Sequence, residues 1–308
     1  MKRIMRRRLN FNFLVIVSAL IILNPAQAIY VSKRLEKPNS FYFIKELTKL
    51  ITPSILKNDL HKFLQETRPN RVVGTRGYLN AQKYIEKELG KYVDNKKSSL
   101  IVQEFTVDSS LAMKSLNDEF ENKIEKKFSK NHPTYKKWNV FRNHIKSFFA
   151  KSAPKKGINY IWEKKGSSSD DKGHFIIGVN YDSLVQDVNK KILKNKEGYG
   201  ADDNGTGVVA ALNFIKIFSK IDLNTTVKVL FFDFQELGNL GAHAYVGKYL
   251  SGSEDKRLLH GMVNILMIGH DSIDYDQTKQ SQNMKIYTRG INSLGHEQDL
   301  SFARQLKV

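Results

Sequence analysis

The chain has 308 residues, enough for one large or two ordinary domains, and its 41% hydrophobic content supplies a sizeable core that excludes a wholly disordered protein. Fifty Lys and Arg against 31 Asp and Glu give a formal net charge of +19, which points to an anionic partner without naming one. The absence of cysteine excludes disulfide frameworks, thiolate metal sites and cysteine nucleophiles, so any metal must be held by His, Asp or Glu.

In chain order, residues 1–28 read as a secretory signal peptide. Lys2, Arg3, Arg6, Arg7 and Arg8 precede an apolar run from Phe11 to Leu23, and Ala26-Gln27-Ala28 supplies a small-residue cleavage pattern. The run falls short of the roughly 20 residues that a spanning helix needs. The expectation is cleavage near Ala28 and a secreted or periplasmic product, with residues 29–308 as one domain.

Ala81, Ile85 and Leu89 recur at helical spacing with Gly90 just after them, the pattern of an amphipathic helix and its stop. Leu100 to Val107, Ile158 to Trp162 and Phe175 to Val179 are β-branched or aromatic runs that read as strands. Between the first two, residues 111–157 carry 12 Lys and Arg against four Asp and Glu. Tyr135, Trp138, Phe141, Ile145 and Phe148 repeat there at helical spacing, predicting a helical insertion that lays an aromatic stripe on the main domain. Its cations fit an anionic membrane or envelope surface. Nucleic acid is not expected for an exported chain.

Thr206 to Ser219 follows as an almost uniformly apolar helix, Val227 to Phe234 as a buried strand, Gly238 to Leu250 as a helix, and Val263 to Ile268 as another buried strand. Strands alternating with helices, apolar on both faces, predict an α/β three-layer sandwich around a mixed, largely parallel sheet. Chemistry in such folds sits beyond the carboxyl ends of the strands. Three polar loops fall there: Asn180-Tyr181-Asp182-Ser183, Gly198 to Gly207, and Gln235-Glu236-Leu237-Gly238. Taken singly, Asp182, Asp203, Asn204, Thr206 or Glu236 could do no more than cap a helix.

Taken together, the three loops resemble those of the M28 family of zinc aminopeptidases, which read roughly H-x-D-S, G-A-x-D-N-x-S-G or G-A-D-D-N-x-S-G, and F-F-D-x-E-E-L-G. Arg71-Val72-Val73-Gly74-Thr75-Arg76-Gly77 and Val263 to Gly269, where the family has N-x-D-M-I-G, extend the match. The resemblance implies two zinc ions that share a carboxylate and activate a bridging water, with a glutamate as base. On that pattern Asp202 matches the bridging Asp, Glu236 a ligand, and Asp182 the Asp that orients the first His. Asn180 stands where that His belongs, Gln235 where the base belongs, and Leu266 where the second metal's Asp belongs.

A final His ligand is not matched before the chain ends at Val308, which reads as a C-terminally short member. His296 falls too early and lacks the family's surroundings; His270 lies just past a strand end, and His243 on a helix face. The resemblance therefore implies zinc bound weakly or not at all. The chain reads as an exported pseudopeptidase, weakly active or inactive, whose partners are peptides or protein N-termini. The alternatives are an active metal-dependent aminopeptidase and a one-metal enzyme like glutaminyl cyclases, which share this fold.

Overall fold

Five strands hydrogen-bond in the order β1-β2-β4-β3-β5: β1 (Ser98–Thr106), β2 (Lys156–Lys164), β3 (His174–Asn180), β4 (Thr226–Phe232) and β5 (Leu259–Asn264). This computed structural model describes residues 49–269 apart from 152, 170–171 and 253–256, together with 288 and 296–305. The expected signal peptide and His270 lie outside the described residues. Residues 59–267 form the compact unit that carries the sheet; α7 (His296–Gln305) belongs to a separate one.

The sheet is mixed. β4, β3 and β5 run parallel, whereas β1 pairs antiparallel with β2 and β2 antiparallel with β4. β1 therefore points the same way as β4, β3 and β5, and β2 alone runs against them, as expected of a mixed, largely parallel sheet. All seven residues of β3 are buried, because it has a strand on each side and a helix over it.

Helix α1 is Pro53–Glu66 and α2 is Arg76–Gly90. The latter begins where Thr75 Oγ1 accepts from the Tyr78 amide and satisfies one of the orphan N–H groups of its first turn. Its Ala81, Ile85 and Leu89 are buried as the spacing predicts. Trp162 Nε1 donates to Tyr92 O just past this helix, which places α2 over one face of β2. On the other face Ile161, Ile176, Leu230 and Phe232 enclose Tyr245 and Leu250 at the end of α6 (Leu240–Tyr249). Burying each such side chain stabilises the fold by about 1.5–3 kcal/mol. Helix α5 (Gly207–Phe218) is apolar nearly all round, since it packs on β3, β4 and α2 together.

The last strand differs from its expectation. β5 is Leu259–Asn264, not Val263 to Ile268, and all six of its residues are half-buried or exposed. It lies at the sheet edge beside β3 alone, so its outer side needs no apolar cover. Met267, with a positive φ of 52°, turns the chain away.

The basic stretch forms α3 (Ser109–Phe120), a wider turn at Glu121–Glu125, and α4 (Pro133–Lys151). Phe141, Ile145 and Phe148 of α4 are buried, as are Phe120 and Ile124. Lys156 and Gly157, read as part of the insertion, belong to β2, and Lys156 faces Thr106 across the β1/β2 ladder. Among the described residues no helix is long and apolar enough to cross a membrane.

Candidate functional site

β3 and β4 end side by side, Asn180 opposite Phe232, and Tyr181 N continues the pairing to Phe232 O at 3.2 Å. One step beyond, the buried Asp182 accepts the amides of Gln235 at 3.1 Å and Glu236 at 3.0 Å. Its carboxylate thus ties the loop after β3 to the loop after β4. Burial, and then the nearby Asp233, push the Asp182 pKa above the usual carboxylate range. Glu236 is raised in the same direction by burial, by Asp182 and by Asp203, with Arg71 opposing.

Asn180 is occupied within the protein. Its Nδ2 donates to Asp182 O at 3.2 Å, and its Oδ1 accepts from Asn204 Nδ2 at 2.9 Å. Asn204 is fully buried; its Nδ2 also reaches Ile265 O at 2.8 Å, while its Oδ1 accepts from Met267 N at 3.2 Å. Two side-chain amides therefore close the ends of β3, the turn before α5 and the segment after β5 into one network.

Arg71 is buried beneath these loops. Its Nε donates to Tyr181 O at 2.8 Å, Nη1 to Tyr199 O at 2.7 Å, and Nη2 to Gly200 O at 2.9 Å and Asp203 O at 3.4 Å. The guanidinium carbon lies 5.0 Å from the Phe63 ring centre. Desolvation lowers the Arg71 pKa to about 10, against the pull of Asp182, Asp203 and Glu236, so the group stays charged at neutral pH. Gly200 makes this approach feasible: its φ is +52°, and a Cβ there would sit 2.9 Å from Nη2.

The predicted residues are placed as follows. Asp182 and Glu236 meet at the strand ends. Asp202 Oδ1 lies 3.5 Å from Thr206 Oγ1 within its own turn. Asp203 is the carboxylate whose charge reaches Glu236 and Arg71, and burial raises its pKa. The backbone leaves helical geometry at Asp203 (φ −104°, ψ 95°), which sets its direction apart from that of Asp202. Gln235 Oε1 and Asp203 Oδ1 are buried with no hydrogen-bond partner among the described residues. Leu266 lies past β5, 42% exposed.

Sequence reasoning missed Asp203, Asn204, Arg71 and Asp233. In the pattern G-A-x-D-N the carboxylate just before the Asn is Asp203, a signal that the adjacent Asp202 obscured. Buried Asp233 accepts from Tyr78 Oη at 2.7 Å and from Ile158 N at 2.9 Å, and burial lifts its pKa to about 6. It anchors the end of β4 to α2 and β2.

The described residues do not complete a two-zinc set. Among the described residues no three His, Cys, Asp or Glu side chains gather where a metal could be held. The Asn180 oxygen is engaged by Asn204, and Leu266 offers no donor. What remains at the strand ends is a pair of carboxylates, Asp203 and Glu236, beside a buried guanidinium. Such a pair suits a cationic group better than an anion.

Residues 159–307 match the sequence model of peptidase family M28. The fold and the strand-end loops agree with that match, which covers just under half of the chain. It is 28% identical over 126 residues to a probable zinc metalloprotease of Pyrenophora tritici-repentis (strain Pt-1C-BFP), across 41% of this chain and 27% of that protein. A probable zinc metalloprotease of Pyrenophora teres f. teres (strain 0-1) matches equally, with 25% of its length covered. The chain thus spans about a quarter of the curated relatives it matches. Among solved structures, the aminopeptidase from Aneurinibacillus sp. strain AM-1 aligns at 15% identity and a TM-score of 0.45, over 72% of this chain and 71% of that one. The Porphyromonas gingivalis glutaminyl cyclase aligns at 14% identity and a TM-score of 0.47, over 71% and 62%.

Proposed function

We propose that this M28 protein is exported and has little or no aminopeptidase activity, and that its strand-end site holds the amino ends of peptides or proteins without cleaving them. One observation carries the reading: the Asn180 oxygen, at the position of the family's first His ligand, is already bound by Asn204 Nδ2 at 2.9 Å. Two further features support it. Gln235 replaces the base, and an amide takes no proton near neutral pH, where such a base contributes about 10²–10⁴-fold. Leu266 replaces the second metal's carboxylate. The carboxyl pair Asp203 and Glu236 suits a peptide ammonium group, which would draw off the proton that burial favours on Glu236, and the basic, apolar and Ala-Gln-Ala order of residues 1–28 supports export to a secreted or periplasmic location.

The test is metal analysis of the purified protein beside an aminopeptidase assay and calorimetric titration with a short peptide. Substoichiometric zinc, no release of amino-terminal residues and saturable peptide binding are expected. Stoichiometric zinc with chelator-sensitive release would overturn the reading. A one-metal enzyme is the second reading, favoured by the buried, unpartnered Oδ1 of Asp203. Metal-dependent cyclisation of an amino-terminal Gln peptide would establish it.

A further inference from the structure

From Lys126 through Trp162 the sequence holds ten Lys and Arg and no Asp or Glu. Within this stretch α4 turns Phe141, Ile145 and Phe148 inward and leaves Lys136, Lys137, Lys146 and Lys151 exposed. None of these four lysines has an ion-pair partner among the described residues.

A second cationic segment is docked on this helix. Residues 185–194 form a tight turn in which Gln186 bridges Ile192 and Asp187 Oδ1 accepts the amides of Asn189 at 2.9 Å and Lys191 at 2.8 Å. The only carboxylate of the turn is thereby engaged by the turn itself. Lys190 Nζ lies 5.4 Å from the Trp138 ring centre and Lys194 Nζ 4.4 Å from that of Phe148. Aromatic faces thus receive a lysine from the turn at two points along α4. At the tip Val188 is 81% exposed, beside the exposed Lys191.

Such a face asks for a surface dense in negative charge. Nucleic acid is disfavoured, because Phe141 and Phe148 are buried and Trp138 lies under Lys190, which leaves this face few rings to stack on bases. A soluble polyanion would find no use for an exposed aliphatic tip. Anionic headgroups over a hydrocarbon layer match both features, lysines outside and one apolar side chain projecting past them. We propose that the face formed by α4 and the 185–194 turn docks on an anionic lipid surface, with the exposed lysines against the headgroups and Val188 entering the interface.

The chain has no cysteine, so Val188→Cys gives a single labelling site in the full chain. An environment-sensitive fluorophore there reads this face alone, whatever residues 1–28 do. With vesicles of phosphatidylglycerol and phosphatidylcholine, a blue shift is expected that is absent with pure phosphatidylcholine and reversed by high salt. In the background K136Q/K137Q/K151Q/K191Q, with folding checked by circular dichroism, the vesicle concentration for half the shift should rise about tenfold or more. Because the label could itself favour insertion, unlabelled Val188→Asp should sediment less with the anionic vesicles than the unmodified chain. No shift with anionic vesicles, the same shift in the four-fold variant, or unimpaired sedimentation of Val188→Asp would each overturn the proposal. Binding of polyphosphate or nucleic acid that displaces the vesicles while leaving Val188 untouched by either would assign the face to a soluble polyanion instead.

Discussion

The loops after β3 and β4 and the segment after β5 reach the same end of the sheet, yet they are held differently. Asp182 binds two backbone amides, and Arg71 binds four backbone carbonyls. Leu266, past β5, is exposed and offers no polar group. The positions that match the family pattern and also bind this chain's own backbone are Arg71, Asp182 and Asn204. Gln235 and Leu266, whose counterparts would face an ion or a water, do not match it. The difference teaches that two demands are superimposed on such a site, one for holding the loops and one for chemistry, and that a chain can keep the residues of the first while those of the second change.

The sharpest way to break that comparison is Arg71→Met. It keeps an apolar stem but leaves four carbonyls and the carboxylates Asp182, Asp203 and Glu236 without their cation, so a loss of about 3–5 kcal/mol is expected. Urea unfolding measures it; a loss below about 1 kcal/mol would mean that the loops do not depend on the guanidinium. Next, Asp182→Ala orphans two buried amides at a cost of about 2–3 kcal/mol, whereas Leu266→Ala should stay within about 0.5 kcal/mol. Equal effects of the two substitutions would erase the contrast.

Smaller is the pH effect. Asp182, Asp233 and Glu236 all have folded pKa values above the ordinary carboxylate range, so the folded state holds protons that the unfolded chain releases. Their contribution is fully present at acidic pH and is lost as pH rises through those higher values. Glu236→Gln should therefore flatten the decline of Tm between pH 5 and pH 8 and raise Tm at the upper end; a steeper decline would contradict the assigned direction. The smallest expected change is none: Gln235→Glu should not confer aminopeptidase activity, since Asn180 and Leu266 would still stand where two of the family's zinc ligands belong. Peptide hydrolysis by that variant would show that the base alone was missing.

The sheet was legible because its signals are local. Ile158 to Trp162 and Phe175 to Val179 announce strands by composition, and Ala81, Ile85 and Leu89 announce a helix by spacing. β5 was misplaced because Val263 to Ile268 is mostly apolar yet buries only Ile265, and burial at a sheet edge depends on neighbours that a sequence window does not contain. Asp202 and Asp203 are chemically identical, and only the backbone turn between them decides which faces Glu236. The Asn180 to Asn204 to Ile265 network spans residues far apart in the chain, so no local spacing encodes it. Arg71 was visible in its motif, but its task lies with carbonyls more than a hundred residues away.

Thr106 and Lys156 face each other across the β1/β2 ladder, so everything between them leaves the sheet and returns to the place it left. In polymer terms this segment is a closed loop, and the entropy of closing a loop grows only with the logarithm of its length, about 0.6 kcal/mol for each doubling. The sheet is therefore nearly indifferent to how long that excursion is. The two helices it carries can lengthen, shorten or exchange their charges at little cost to the strands beneath them, which frees that one surface to change its allegiance while the scaffold stays as it is.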